Sequence, residues 1–284
     1  GDEVLITKAE HASNVLPWFT IDKDIKVKYI ELEDGLVTLD NVINSITPNT
    51  KVISLAHITN VIGDKRPIKE ITKYAHSKGI LVVLDAAQSI PHIKVDVKDL
   101  DIDFMGFSGH KMCGPTGIGV LYAKYDLLKD VEPHNVGGGM NNDFESDKTY
   151  RYKEIPYKLE AGTPNIAGVI GLGAAIDYIN KIGIENIEKY VTDLRSYAIS
   201  KLEKLNNIEI YNKDIKSSTI AFNVINVHSQ DTATYLNKHG ICIRAGNHCA
   251  KILKEELGVT NTCRISLYFY NTKEDIDALV KVLD

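Results

Sequence analysis

Ile80-Leu81-Val82-Val83-Leu84-Asp85-Ala86-Ala87-Gln88 is the stretch that decides the fold. Its apolar run shows no alternation, so it reads as a strand covered on both faces, the habit of strands in a parallel sheet. Just upstream, Ile68, Ile71, Tyr74 and Ala75 recur on one face of a helix. Pro67 suits the first turn of that helix and Gly79 its close. Further apolar runs at 3–7, 52–56, 102–107 and 118–122 read as strands. Short strands separated by helical pattern specify an α/β domain with a largely parallel sheet.

Beyond this unit, helical patterns at 164–182 and 185–205 lead away from the sheet. Strand patterns follow at 219–224, 241–244 and 262–269, with helices at 231–239 and 273–283. The expected organisation is a large domain over 1–180 and a smaller C-terminal α+β domain over 181–284.

The 284 residues are 44% hydrophobic and 25% charged, which gives enough apolar material for a sizeable core. A net charge of -5, with charges scattered, offers no basic stripe for a phosphate backbone, so nucleic acid is not an expected partner. No apolar run approaches the ~20 residues of a bilayer span, so no membrane association is expected. Cys113, Cys242, Cys249 and Cys263 form no Cys-x-x-Cys pair and suit a reducing, cytoplasmic setting. Structural zinc is disfavoured by the same spacing, and no metal is expected. The chain opens at Gly1 and runs at once into a strand, so it reads as a fragment whose natural start, with any targeting peptide, lies upstream.

In an open α/β sheet, ligands bind beyond the carboxyl ends of the strands. Those positions here are polar: Glu10-His11 after 3–7, His57 and Asn60 after 52–56, Asp85 and Gln88 after 80–84, and Ser108-Gly109-His110-Lys111 after 102–107. Taken singly, Asp85 reads as a turn or helix cap and Lys111 as a solvated charge. Taken together they meet the needs of pyridoxal 5'-phosphate: a lysine for the Schiff base, an anion at the pyridine nitrogen, and donors for the phenolic and phosphate oxygens. Lys111 is then the Schiff-base lysine, Asp85 the partner of the ring nitrogen, and Gln88 the contact of the phenolic oxygen. Ser108 and His110 face phosphate, and Gly109 lets the backbone approach the cofactor. Gly114-Pro115-Thr116-Gly117-Ile118-Gly119 reads as a tight turn into a strand, and Gly137-Gly138-Gly139 as a flexible loop or a mobile segment near the site.

Along the whole chain these residues resemble the class V aminotransferase-like group of fold type I pyridoxal-phosphate enzymes, and within it the SufS-type (group II) cysteine desulfurases. Glu10-His11-Ala12-Ser13-Asn14 with Pro17-Trp18, His57-x-x-Asn60-Val61-x-Gly63, Asp85-Ala86-Ala87-Gln88, Ser108-Gly109-His110-Lys111, Glu160-Ala161-Gly162-Thr163-Pro164-Asn165, Arg244-Ala245-Gly246-Asn247-His248-Cys249-Ala250 and Arg264-x-Ser266 occur in the family's order. The resemblance implies that His11 stacks on the cofactor ring and that Asn60 assists at the phenolic oxygen or the substrate carboxylate. Lys111 carries the proton as well as the cofactor. Thr163 reaches the phosphate of a neighbouring subunit, which implies a homodimer, although Thr163-Pro164 also makes a good helix cap.

Cys249 narrows the chemistry, because a desulfurase needs a thiolate to take sulfur from its substrate and hold it as a persulfide. Its polar surroundings, with Gly246, His248 and Arg244 near, set it apart from Cys242 and Cys263, which sit in apolar strand patterns and look structural. Arg264 alternates with Ser266 and Tyr268 on one strand face, where its fork suits a substrate carboxylate. The expected activity is conversion of L-cysteine to L-alanine, with sulfur passed to iron–sulfur cluster assembly. The short loop around Cys249 implies a separate acceptor protein of the SufE or SufU kind. Asn247 replaces a histidine common in the family and leaves L-selenocysteine open as substrate. A selenocysteine lyase, another class V aminotransferase and a non-catalytic sulfur-assembly scaffold are the alternative readings.

Overall fold

The computed structural model describes residues 1–33 and 35–284. In chain order the elements are β1 (Glu3–Thr7), α1 (Leu16–Thr20), β2 (Lys26–Ile30), α2 (Leu39–Ser45), β3 (Thr50–Ala56), α3 (Ile68–Ser77), β4 (Leu81–Asp85), β5 (Phe104–Ser108), β6 (Gly119–Ala123) and α4 (Tyr125–Asp130). A hairpin of β7 (Asn141–Phe144) and β8 (Tyr150–Tyr152) leads to the long helices α5 (Ile166–Ile182) and α6 (Ile184–Leu202). The chain finishes with β9 (Ile208–Ile210), β10 (Thr219–Val224), α7 (Ser229–Lys238), β11 (Arg244–Gly246), α8 (Leu253–Leu257), β12 (Thr262–Ser266) and α9 (Lys273–Leu283).

Six strands form the main sheet in the order β2-β1-β3-β4-β5-β6. The first five run parallel and β6 runs antiparallel to β5, so the sheet is mixed but mostly parallel, as the apolar runs predict. Leu5, Ile53, Leu55, Val82 and Leu84 pack with Val42 of α2 and with Ile68, Ile71 and Ala75 of α3, all at most 2% exposed. At ~25 cal/mol per Å² of apolar surface, this layer is a main source of the unit's stability. A four-stranded antiparallel sheet, β11-β12-β10-β9, forms the second layer system. Its Ile220, Phe222, Cys263 and Ile265 pack against Ile187, Val191, Leu194 and Ala198 of α6 and against Ile276 and Leu279 of α9.

Several boundaries shift for local reasons. Helix α5 begins at Ile166 because Asn165, not Thr163, caps it by accepting the Gly168 N–H. The strand expected over 241–244 is confined to Arg244–Gly246, which leaves Cys242 exposed and outside any strand, so its structural reading is corrected. The 262–269 strand ends at Ser266; Tyr268 then turns inward, its hydroxyl donating to the Pro91 carbonyl at 2.8 Å. Gly109 is dictated by packing: a Cβ there would meet Ile118 Cγ2 at 2.8 Å.

The two sheets meet where Ala9, Val61 and Ile62 pack on Ala221, Ala250 and Leu253. Gly63 lies in this seam with φ +79, and a Cβ on it would stand 2.2 Å from Ser217 Cβ. Gly63→Ala is expected to cost about 2–4 kcal/mol through backbone strain and overpacking. The check is a lower urea midpoint at unchanged slope.

Candidate active site

Parallel strands place their carboxyl ends on one edge, and β1, β3, β4 and β5 each deliver polar residues there. A cleft of about 700 Å3 opens at that edge and is lined by His11, Asn60, Asp85, Gln88, Ser108, His110 and Lys111, joined by Arg244 and Arg264 from the second sheet. Thr163 is exposed and is not among the residues lining the cleft. Gly137 and Gly138 also lie elsewhere, beside Met140, Phe144, Tyr150 and Tyr152 on an apolar surface groove.

Lys111 follows β5 in a short 3-10 turn, Gly109–Met112. Burial lowers the affinity of its amine for a proton, Asp85 opposes that, and Arg264 and Arg244 add to it. Asp85 ends β4, and its Oδ1 accepts the Ala87 N–H at 2.9 Å. Burial raises its pKa above the usual carboxylate value; the Ala87 bond opposes this, the Glu10 carboxylate adds to it, and Lys111 and His11 offset part of the rise. His11 is lowered by burial and by Lys111, and its Nδ1 accepts the Ser13 N–H at 3.1 Å. The neutral ring therefore carries its proton on Nε2.

Arg244 and Arg264 are direct cross-strand partners on β11 and β12. Two adjacent guanidinium groups repel, which suits a site that receives an anion. Burial and then Arg244 hold Arg264 down to about 10. Arg264 donates from Nη1 to the Asn60 carbonyl at 2.7 Å, while its buried Nε has no partner among the described residues. Asn60 is oriented by its Nδ2 bond to the His248 carbonyl, 2.7 Å, which leaves its buried Oδ1 free for a ligand.

Cys249 is exposed, and Arg244 Nη2 donates to its Sγ at 3.1 Å. His248 and Cys249 both adopt the left-handed backbone, with φ 51 and φ 59. Such strain persists only where the surroundings enforce it. Here the Cys249 carbonyl accepts the Ala12 N–H at 2.7 Å, and the His248 ring sits 3.0 Å from the Thr262 carbonyl through Nε2. Cys263 is buried, its thiol pushed up to about 11, and is structural as expected. Cys113 is exposed at a left-handed turn position, φ 62. The sequence reading gave no part to the buried Glu10–Arg66 ion pair. An arginine just before a proline, in a loop without periodicity, carries no signal of burial.

The class-V aminotransferase family profile matches residues 1–279, and the chain belongs to that family. A probable cysteine desulfurase of Halalkalibacterium halodurans is 46% identical over 287 residues, covering 100% of this chain and 70% of the relative. A cysteine desulfurase of Haloferax volcanii is 40% identical, covering 100% of this chain and 68% of its own. Among solved structures, the Escherichia coli cysteine desulfurase CsdA, in its S-sulfonic acid form, superposes with a TM-score of 0.96 at 40% identity, over 100% of this chain and 71% of that one.

Two outcomes follow from the electrostatics. Reductive methylation of the cofactor-free chain labels Lys111 ahead of the exposed lysines, and Asp85→Asn speeds that labelling by roughly threefold, because the lost carboxylate favours the neutral amine. Peptide mass spectrometry reads both. His248 is held by burial, and then by Arg264, down to about 4 from an ordinary 6.5. Folded protein then binds fewer protons than unfolded, so this stabilisation is whole above pH 6.5 and drains as pH falls toward 4. His248→Asn flattens the acid limb of the stability-against-pH curve measured by urea titration.

Proposed function

We propose that this chain is a pyridoxal-phosphate-dependent cysteine desulfurase that converts L-cysteine to L-alanine and keeps the sulfur as a persulfide on Cys249. The observation that carries the reading is that a half-buried amine, Lys111, a carboxylate, Asp85, and an arginine, Arg244, line one cleft, and that Arg244 holds the exposed thiol of Cys249 at 3.1 Å. Fit to the cofactor is supported by groups that have no partner of their own. Asn60 Oδ1 is buried without a hydrogen bond, and the Ser108 side chain makes no capping bond to the turn it precedes. Lys111 would hold the group covalently, Asp85 would meet its ring nitrogen, Gln88 and Asn60 its phenolic oxygen, Ser108 and His110 its phosphate, and His11 its ring face. Bound there, pyridoxal phosphate supplies a carbonyl carbon for the substrate amine and an electron-withdrawing ring beside the substrate Cα.

Arg264 binds the substrate carboxylate and fixes the Cα–H bond for removal. Lys111, whose affinity for a proton burial lowers, takes the Cα proton and returns a proton to the carbon skeleton. Cys249 Sγ attacks the substrate sulfur: the S–S bond forms, the Cβ–S bond breaks, and the carbon side keeps the electron pair and is protonated to alanine. No outside oxidant or reductant enters this balance.

The segment carrying the thiol is short, with only 247–252 between β11 and α8, and is tied down on both sides. That supports a SufS-type (group II) enzyme which hands sulfur to a separate acceptor of the SufE or SufU kind for iron–sulfur cluster assembly. We read 1–180 as the cofactor-binding domain and 181–284 as the smaller one. Thr163, exposed and outside its own cleft, serves the phosphate site of a second copy in a homodimer. Among the described residues no single helix is long and apolar enough to cross a membrane. A cytoplasmic setting is supported by the four free thiols.

Full chain loaded with pyridoxal phosphate, given L-cysteine and excess reductant, is expected to form alanine and sulfide in equal amounts. Cys249→Ala lowers both rates by about 100-fold or more. Undiminished sulfide release from that variant removes the persulfide role.

A further inference from the structure

Glu10 and Arg66 are fully buried side chains that do not line the cleft. Glu10 Oε1 accepts from Arg66 Nη1 and from Thr7 Oγ1, and its Oε2 accepts from Asn14 Nδ2 at 2.9 Å and from the Ala56 N–H at 2.8 Å. Arg66 also reaches Thr7 Oγ1, the Ala56 carbonyl and Asp64 Oδ2. Asn14 in turn accepts from Ser54 at 2.6 Å. The carboxylate thus has every lone pair engaged, and the guanidinium bridges the end of β1, the end of β3 and its own loop. A buried pair of this kind is poor evidence for net stability, but it fixes one arrangement of the segments it joins.

Those segments are the ones that hold the thiol. Ala12, two residues after Glu10, donates to the Cys249 carbonyl at 2.7 Å. Asn60, in the loop that Arg66 ends, donates to the His248 carbonyl at 2.7 Å and accepts from Arg264 at 2.7 Å. Each of these polar contacts from the first sheet's loops to the Cys249 segment and to Arg264 starts from Ala12 or Asn60.

We infer that Glu10 and Arg66 are positioning residues: through Ala12 and Asn60, the pair sets where Cys249 and Arg264 stand relative to Lys111. This rests on the desulfurase reading for its kinetic consequence, though not for its structural one. Arg66→Met with Glu10→Gln removes the fork without stranding Glu10 as an unpaired charge, and Asp64, which also loses Arg66, keeps its bond from the Val37 N–H. Arg66→Lys keeps the charge but cannot bridge Thr7, Ala56 and Glu10 at once.

The test treats full-length protein with iodoacetamide and compares alkylation of Cys249 with that of Cys242, an exposed thiol on the same chain, by peptide mass spectrometry; kcat/KM for alanine formation is measured in parallel. The double variant is expected to shift the Cys249-to-Cys242 ratio by about threefold or more. Its kcat/KM should fall by about tenfold or more, since small misplacement of a reacting group is expensive. Arg66→Lys should fall between the double variant and wild type in both. Lys69→Ala, which breaks a surface pair with Asp99, should change neither. A folded double variant, or Arg66→Lys should the double variant not fold, with both quantities within about twofold of wild type overturns the assignment. Wild-type protein that forms no alanine would instead sink the desulfurase reading, and the alkylation ratio would still decide the positioning role.

Discussion

Two hydrogen bonds, from the Ala12 N–H to the Cys249 carbonyl and from Asn60 Nδ2 to the His248 carbonyl, join the large sheet to the segment that bears the thiol. The cleft is a composite. Lys111, Asp85, Gln88 and Asn60 come from the carboxyl edge of the parallel sheet, whereas Arg244 and Arg264 come from the antiparallel one, and Cys249, on the loop after β11, joins through Arg244. On the proposed function neither set is sufficient alone: one would hold the cofactor without a sulfur acceptor, the other a thiol without an electron sink. The seam of Ala9, Val61 and Ile62 against Ala221, Ala250 and Leu253 brings the sheets together, and the two bonds fix the register.

The electrostatics of the composite are consistent in sign. Burial favours a neutral Lys111 amine, and the Asp85 carboxylate limits how far. Arg244 and Arg264 stand side by side, a repulsion that an incoming carboxylate relieves. Arg244 already touches the Cys249 sulfur, so the thiol proposed as nucleophile has a cation beside it. The left-handed backbone at His248 and Cys249 is the strain held in place by this design.

The sequence made the buried strands legible because unbroken apolar runs such as 80–84 have few other uses. The residues at the carboxyl edge were equally legible, since the sheet's direction dictates where they go. The edge strand β2, Lys26-Val27-Lys28-Tyr29-Ile30, went unseen because its lysines face solvent and one of them pairs with Glu3. The antiparallel run of β6 follows from the short connection, 109–118, which is too short for a crossover. Cys242 looked structural from its apolar neighbours but lies before the strand begins. Arg66 was hidden most completely, because a buried ion pair leaves no periodic trace and its partners come from three separate segments.

The central claim is that Cys249 receives sulfur from the substrate. Peptide mapping by mass spectrometry under non-reducing conditions, after the pyridoxal-phosphate-loaded chain has turned over L-cysteine without reductant, tests it most directly. The Cys249 peptide is expected to gain the mass of one sulfur atom, while the Cys113, Cys242 and Cys263 peptides are expected not to. Alanine formed with Cys249 unmodified, or with the added sulfur on another cysteine, would contradict it.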